Sequence, residues 1–314
     1  LLISESLWTR RLLCQDRRLI DFHNSLAFNK EARIYDHTTI RESIASHSQK
    51  NMAQRYVRVK HRQGQIFYGL LQLNRSVAVF DAPPWQGGQL TKLELEPDSY
   101  QLLAPCFPSK IIAVGKNYRA HAAEMGTPVP EEPLLFLKPP TTIIADGETI
   151  FYPPQSERVD YEGELALIMG ETAKNCTTAQ ARSKIWGYTI ANDVTARDLQ
   201  KKDSQWTRAK GFDSFCPLGP WIVRELSIGA QLTTFLNDGS EPKQSSYLSD
   251  MVFPPDVLVA YISQVMTLLP GDVILTGTPE GIGPMQVGDK VRVEIEGIGV
   301  LENRVMAAAS ISDN

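Results

Sequence analysis

Asp160-Tyr161-Glu162-Gly163-Glu164-Leu165-Ala166-Leu167-Ile168-Met169 sets two carboxylates one residue apart and then runs straight into an unbroken apolar stretch. In an extended strand, residues i and i+2 share a face, so Glu162 and Glu164 project side by side. Two carboxylates that close repel unless a cation sits between them or one keeps its proton. An E-x-E pair alone reads more simply as a solvated strand edge. The apolar run that follows implies instead a strand entering a core.

Downstream, the strand-like run Gly187-Tyr188-Thr189-Ile190-Ala191-Asn192 ends in Asp193, at the kind of position that opens onto a cleft. Three carboxylates without His or Cys make a hard, all-oxygen donor set that suits Mg²⁺, Mn²⁺ or Ca²⁺ over Zn²⁺. Upstream, GKNYRAHAAEMG (115–126) ends one strand and begins a short helix, on which His121 and Glu124 are three apart and face the same way. A carboxylate beside an imidazole fixes its tautomer and raises its basicity, as a water-activating base requires, although a surface ion pair has the same spacing. The loop TGTPEGIGP (276–284) follows a strand but lacks the Gly-Lys-Ser/Thr ending of a nucleotide-binding loop. Its free backbone N–H groups can hold a carboxylate.

The rest of the chain supplies the frame. Short β-like runs, YVRVK (56–60), IFYGLLQL (66–73), SVAVF (76–80) and KLELE (92–96), predict a small antiparallel domain over residues 52–104, joined by the proline-bearing LAPCFPS (103–109) to a larger domain over 105–305. A C-terminal tail covers 306–314. Strands are expected at 111–114, 134–138, 164–169, 273–276 and 291–296; helical period is confined to 118–125, 178–186 and 256–269. Few helices and no βαβ alternation predict a mixed, β-rich α+β fold and argue against a Rossmann or TIM-barrel layout.

With 314 residues, 42% hydrophobic and 22% charged, the chain has the composition of an ordinary globular protein. A net charge of −4 leaves no basic footprint for nucleic acid. The four cysteines are scattered, which favours a reducing compartment, and no apolar run approaches the roughly 18 residues of a membrane span. A cytoplasmic protein without membrane partners is expected. Residues 1–51 begin with Leu and carry no periodic apolar face; they read as a flexible leader or extension ahead of Met52. A mitochondrial transit peptide is the other reading, though Glu5, Asp16, Asp21, Glu31, Asp36 and Glu42 make the stretch acid-rich for one.

Taken in order, GKNYRAHAAEMG, FLKP (136–139), DYEGELALIMG (160–170), ANDVTARDLQ (191–200), AKGFDSFCPLGP (209–220) and LTGTPEGIGP (275–284) resemble the fumarylacetoacetate hydrolase family over about residues 105–305. The resemblance implies a β-roll with a small N-terminal β domain, a homodimer, and one Mg²⁺ or Mn²⁺ held by Glu162, Glu164 and Asp193. It further implies Lys210 as the active-site lysine, Gln200 and Thr278 as substrate contacts, and His121 with Glu124 as a dyad on a lid. The implied substrates are 2-oxo acids. The first expectation is hydrolysis of the C–C bond of acylpyruvates through a pyruvate enolate, with the dyad deprotonating water. The alternative is an oxaloacetate tautomerase or decarboxylase, or a 2-hydroxyhepta-2,4-diene-1,7-dioate (5-carboxymethyl-2-hydroxymuconate) isomerase; fold membership does not choose among them.

Overall fold

The computed structural model describes residues 54–309; the leader expected over 1–51 and residues 310–314 of the tail expected over 306–314 lie outside them, whereas Met306 and Ala307 are not tail but the end of a strand paired with Phe151 and Tyr152. Strands β1 (Arg55–His61), β2 (Ile66–Leu71), β3 (Val77–Phe80) and β4 (Leu90–Leu95) form an antiparallel meander, and β5 (Tyr100–Leu103) returns to pair with β1. Alternation puts Val57, Val59, Val77, Val79 and Leu95 into one small core. These strands do not make a sheet of their own. Tyr56 of β1 pairs with Ile222, so the meander continues a much larger sheet.

That sheet is built from β6 (Ile111–Gly115), β7 (Leu134–Lys138), β8 (Ile143–Ile144), β11 (Gly163–Met169), β12 (Ile185–Asn192), β14 (Cys216–Val223) and β17 (Val273–Leu275), in the order β1-β14-β12-β11-β17-β6-β7, with β8 alongside β14. The sheet is mostly antiparallel; β6 with β17 and β8 with β14 are parallel. Beside it lie a sheet of β9 (Thr149–Tyr152), β15 (Gln231–Leu236), β16 (Gln244–Tyr247), β19 (Lys290–Ile295) and β20 (Gly299–Ala307), and a short one of β10 (Val159–Tyr161), β13 (Thr195–Ala196) and β18 (Gly283–Met285). The helices are α1 (Arg119–Glu124), α2 (Thr178–Lys184), α3 (Arg197–Lys202), α4 (Thr207–Lys210) and α5 (Pro255–Val265).

Strand β11 is buried along its whole length, which is why its sequence reads as a continuous apolar run rather than an alternation. Its two faces serve two cores. Leu165, Leu167 and Met169 pack with Leu232, Leu258, Val259 and Ile262, whereas Ala166 and Ile168 pack with Ile111, Ala113, Val273, Leu275 and Trp85. Trp85, carried on the turn after β3, is the wedge that binds the meander to this second core, edge-on to Trp186 at 5.5 Å.

Two expectations need correction. The helix expected over 256–269 stops at Val265, because Met266 is extended and Leu268 exchanges both backbone hydrogen bonds with Ala173. Strand β14 was not expected at all. Its sequence, CPLGPWIV, carries two prolines, which argue against an interior strand; the structure accommodates them by breaking the β12 ladder between Tyr188 and Ile190, so that no bond is asked of Pro220.

Candidate active site

The hairpin of β11 and β12 creates the acidic cluster. Gly163 pairs with Asn192, and the ladder continues one step further through Asp193 N–H donating to Glu162 C=O at 2.8 Å. Asp193 therefore stands opposite the Glu162–Glu164 pair, and one ligand atom from each of the three residues lies within 4.8 Å of the others. All three are buried. A glycine is required between the glutamates, since a Cβ on Gly163 would stand 2.4 Å from Thr234 Oγ1 of β15.

Buried carboxylates need compensation, and most of it is visible. Lys210, at the end of α4, donates from Nζ to Glu162 Oε2 at 2.9 Å and also to Asp193 Oδ2. Arg197, at the start of α3, donates from Nη2 to Glu162 Oε1, from Nε to Asp160 Oδ2 at 2.9 Å, and from Nη1 to Gln200 Oε1. Lys138 of β7, fully buried, places Nζ 2.6 Å from Asp193 Oδ1, but outside hydrogen-bonding alignment, so that oxygen has no hydrogen-bond partner.

The two glutamates are unequal. Burial would raise the Glu162 carboxyl, but Lys210 and Arg197 outweigh it and hold it below the ordinary value. Glu164 is pushed well above its ordinary value by burial and by the charges of Asp193 and Glu162, against which the 2.6 Å bond from Gly277 N–H is too little. Gly277 is in the left-handed region at φ +97° with Asn117 Cβ 2.7 Å from where its own Cβ would be, so only glycine brings that N–H to Glu164. The donor set fits a divalent cation: three convergent, buried carboxylates, of which Glu164 makes no salt bridge among the described residues.

Over this floor sits α1. His121 is buried, and its Nδ1 is 3.1 Å from Glu124 Oε2; Glu124 Oε1 in turn accepts from Gly281 N–H at 3.1 Å. A carboxylate only accepts, so Nδ1 carries the proton and Nε2 is left as the base. One cavity is lined by Glu162, Glu164, Asp193, His121, Lys210, Gln200 and Thr278, together with Arg197, Lys116, Phe136 and Trp206. Glu124 stands behind His121 rather than on the cavity wall. The Thr278 hydroxyl is committed to its own frame: it donates to Gly163 C=O at 2.9 Å and accepts from Gln244 Nε2 at 2.7 Å.

Arg197, Lys138 and Gln244 were not singled out from the sequence. For Arg197 a signal existed, since its spacing of three to Gln200 puts both on one helix turn. A lysine closing the apolar run LLFLK was a second. Gln244 comes from an edge strand on another sheet, and nothing near it in the sequence marks it.

The match to known proteins follows this geometry. Residues 110–306 match the family model for the fumarylacetoacetate (FAA) hydrolase C-terminal domain, and the chain belongs to that family of enzymes. Residues 54–105 match the Rv2993c-like N-terminal domain. The chain is 40% identical over 229 residues to the mitochondrial oxaloacetate tautomerase FAHD2A of Bos taurus, covering 69% of this chain and 73% of that protein. It is 43% identical to the solved 5-carboxymethyl-2-hydroxymuconate delta-isomerase from Mycobacterium smegmatis, with a TM-score of 0.75 over 81% of this chain and 100% of that one. The fumarylpyruvate hydrolase from Pseudomonas aeruginosa, solved with Mn²⁺ and pyruvate, is 32% identical with a TM-score of 0.60 over 66% of this chain and 92% of that one. Among the described residues no helix is long and apolar enough to cross a membrane.

Proposed function

We propose that this enzyme moves a proton at the carbon next to the keto group of a 2-oxo acid, with keto–enol tautomerisation as its reaction. The observation that carries the reading is His121, whose Nε2 is free because Glu124 holds Nδ1, lining the same cavity as the acidic triad and Lys210. Glu162, Glu164 and Asp193 would hold a divalent cation, Mg²⁺ or Mn²⁺, which when bound supplies Lewis acidity toward the keto and carboxylate oxygens.

The chain's own groups do the rest. Arg197 occupies Gln200 Oε1 and so turns the amide Nε2 toward the cavity as a donor to a substrate oxygen. Lys210 supplies positive charge where the oxygen gains negative charge during enolisation. His121 Nε2 takes the proton from carbon and the enolate oxygen gains one, from the imidazolium or from solvent, to give the enol; the reverse sequence returns the keto form, and Glu124 stabilises the imidazolium in between. Phe136 and Trp206, edge to face at 5.2 Å, wall the cavity with apolar surface and limit water.

Hydrolysis of acylpyruvates is the second reading, supported by the same dyad, which could equally deprotonate water. The higher identity to the tautomerase and the isomerase than to the fumarylpyruvate hydrolase supports tautomerisation ahead of hydrolysis. Proton NMR in D₂O with Mg²⁺ tests it. Oxaloacetate should exchange its C3 protons at an enzyme-dependent rate, and acetylpyruvate should release little pyruvate. Rapid pyruvate release would install the hydrolase in its place.

A further inference from the structure

Three cationic side chains of lysine and arginine line the cavity, and two are already engaged. Arg197 is paired with Asp160 and Glu162, and Lys210 with Glu162 and Asp193. Lys116 also lines the cavity, yet among the described residues it makes no salt bridge and no side-chain hydrogen bond.

Its backbone is held in an unusual state. Strand β6 ends at Gly115, and Lys116 follows at φ +57°, the left-handed region that non-glycine residues seldom occupy. The next residue explains how this persists. Asn117 is fully buried; its Nδ2 donates to Thr276 C=O at 2.7 Å and Phe253 C=O at 3.0 Å, its Oδ1 accepts from Phe253 N–H at 2.8 Å, and its C=O accepts from Val252 N–H at 2.8 Å. Four bonds fix the chain just past Lys116, which turns the strand end at the cavity rim instead of continuing it. Strain retained at a cavity edge calls for a use.

The charge sum indicates that use. Three carboxylates, Lys210, Lys138 and a divalent cation total +1; Arg197 is offset by Asp160, whose other partner, Arg158, is half exposed to solvent and screened by it. One carboxylate of a 2-oxo acid brings this to zero. A second carboxylate needs one more positive charge, and Lys116 is the unengaged one. The preceding residue adjoins the apolar wall, since a Cβ on Gly115 would stand 3.0 Å from the Trp206 ring, and Trp206 lines the same cavity as Lys116.

We infer that Lys116 is the specificity-determining residue that receives the distal carboxylate of a 2-oxo dicarboxylic acid, so that the enzyme prefers dianionic to monoanionic substrates. This rests on the 2-oxo acid reading above and narrows it. The test is calorimetric titration of the Mn²⁺-loaded protein with oxaloacetate and with 2-oxobutanoate, acids of equal length in which a carboxylate replaces a methyl group. Wild type should bind oxaloacetate at least about tenfold more tightly, a reasonable yield for one partly screened charge pair. Lys116→Met should lose that preference while binding 2-oxobutanoate as before, and Lys116→Arg should restore it. No preference in wild type, a preference retained in Lys116→Met, or equal weakening of both acids would overturn the assignment. Binding of neither acid overturns the 2-oxo acid reading along with it. If the preference holds but no C3 exchange is seen, the tautomerase reading falls and the Lys116 assignment stands.

Discussion

The acidic floor of the cavity and helix α1 above it, the lid that the family resemblance implies, are built on opposite principles. The floor carboxylates belong to a hairpin in the middle of a large sheet, with backbone ladders on both sides and charge partners on β7, α3 and α4. The lid is a six-residue helix without a side-chain N-cap, tied down by Asn117 at its root and by the Glu124–Gly281 bond at its far end. A helix that short has little stability of its own. The difference teaches that charge placement is a property of the fold, whereas presentation of His121 depends on a few replaceable bonds.

The strongest way to break this contrast is through the floor. Glu164→Gln or Asp193→Asn should weaken Mn²⁺ binding by more than about 100-fold, beyond what loss of an outer partner causes, measured by calorimetry. Unaltered affinity in both would remove the cation from the triad. Next in size is the lid's base: His121→Ala should lower C3 exchange by about 10²–10⁴-fold while leaving Mn²⁺ affinity within about twofold. A matching loss of Mn²⁺ affinity would make floor and lid one unit. The mildest change is Glu124→Gln, which keeps the side chain's shape but removes the charge behind the imidazole. About tenfold slower exchange is expected, from a charged hydrogen bond reduced to a neutral one of roughly 1.4 kcal/mol less; a loss as large as that of His121→Ala would give Glu124 a direct part in the chemistry.

Much of the floor was legible in the sequence for a simple reason. Glu162 and Glu164 are separated by one residue, and the run Leu165–Met169 implies that their strand enters a core, while the assignment of the pair to a metal site came from the family resemblance. Asp193 was legible as a strand end. The compensation was not: Arg197 meets Glu162 across 35 positions and Lys210 across 48, and such contacts follow from topology that no local pattern encodes. Strand β14 was hidden by Pro217 and Pro220, whose local preference is overridden by neighbours on both sides. The seam between β1 and β14 was illegible for the opposite reason, because a meander of alternating strands looks self-sufficient until a partner for its edge is known.

The parallel pairing of β6 with β17 has a consequence for the order of assembly. Joining Ile111 to Val273 closes a very long loop of chain, whereas β11 meets β12 within a few tens of residues. Loop-closure entropy grows with the logarithm of length, and non-local contacts of this kind slow the search for the native topology. The hairpin that carries Glu162, Glu164 and Asp193 is therefore the easy contact to make, and the strand that delivers Gly277 and Gly281 to the glutamates of floor and lid is the difficult one. A nascent chain has all three carboxylates in hand well before residue 281 is synthesised, so the acidic cluster can come together while Glu124 still lacks its Gly281 partner.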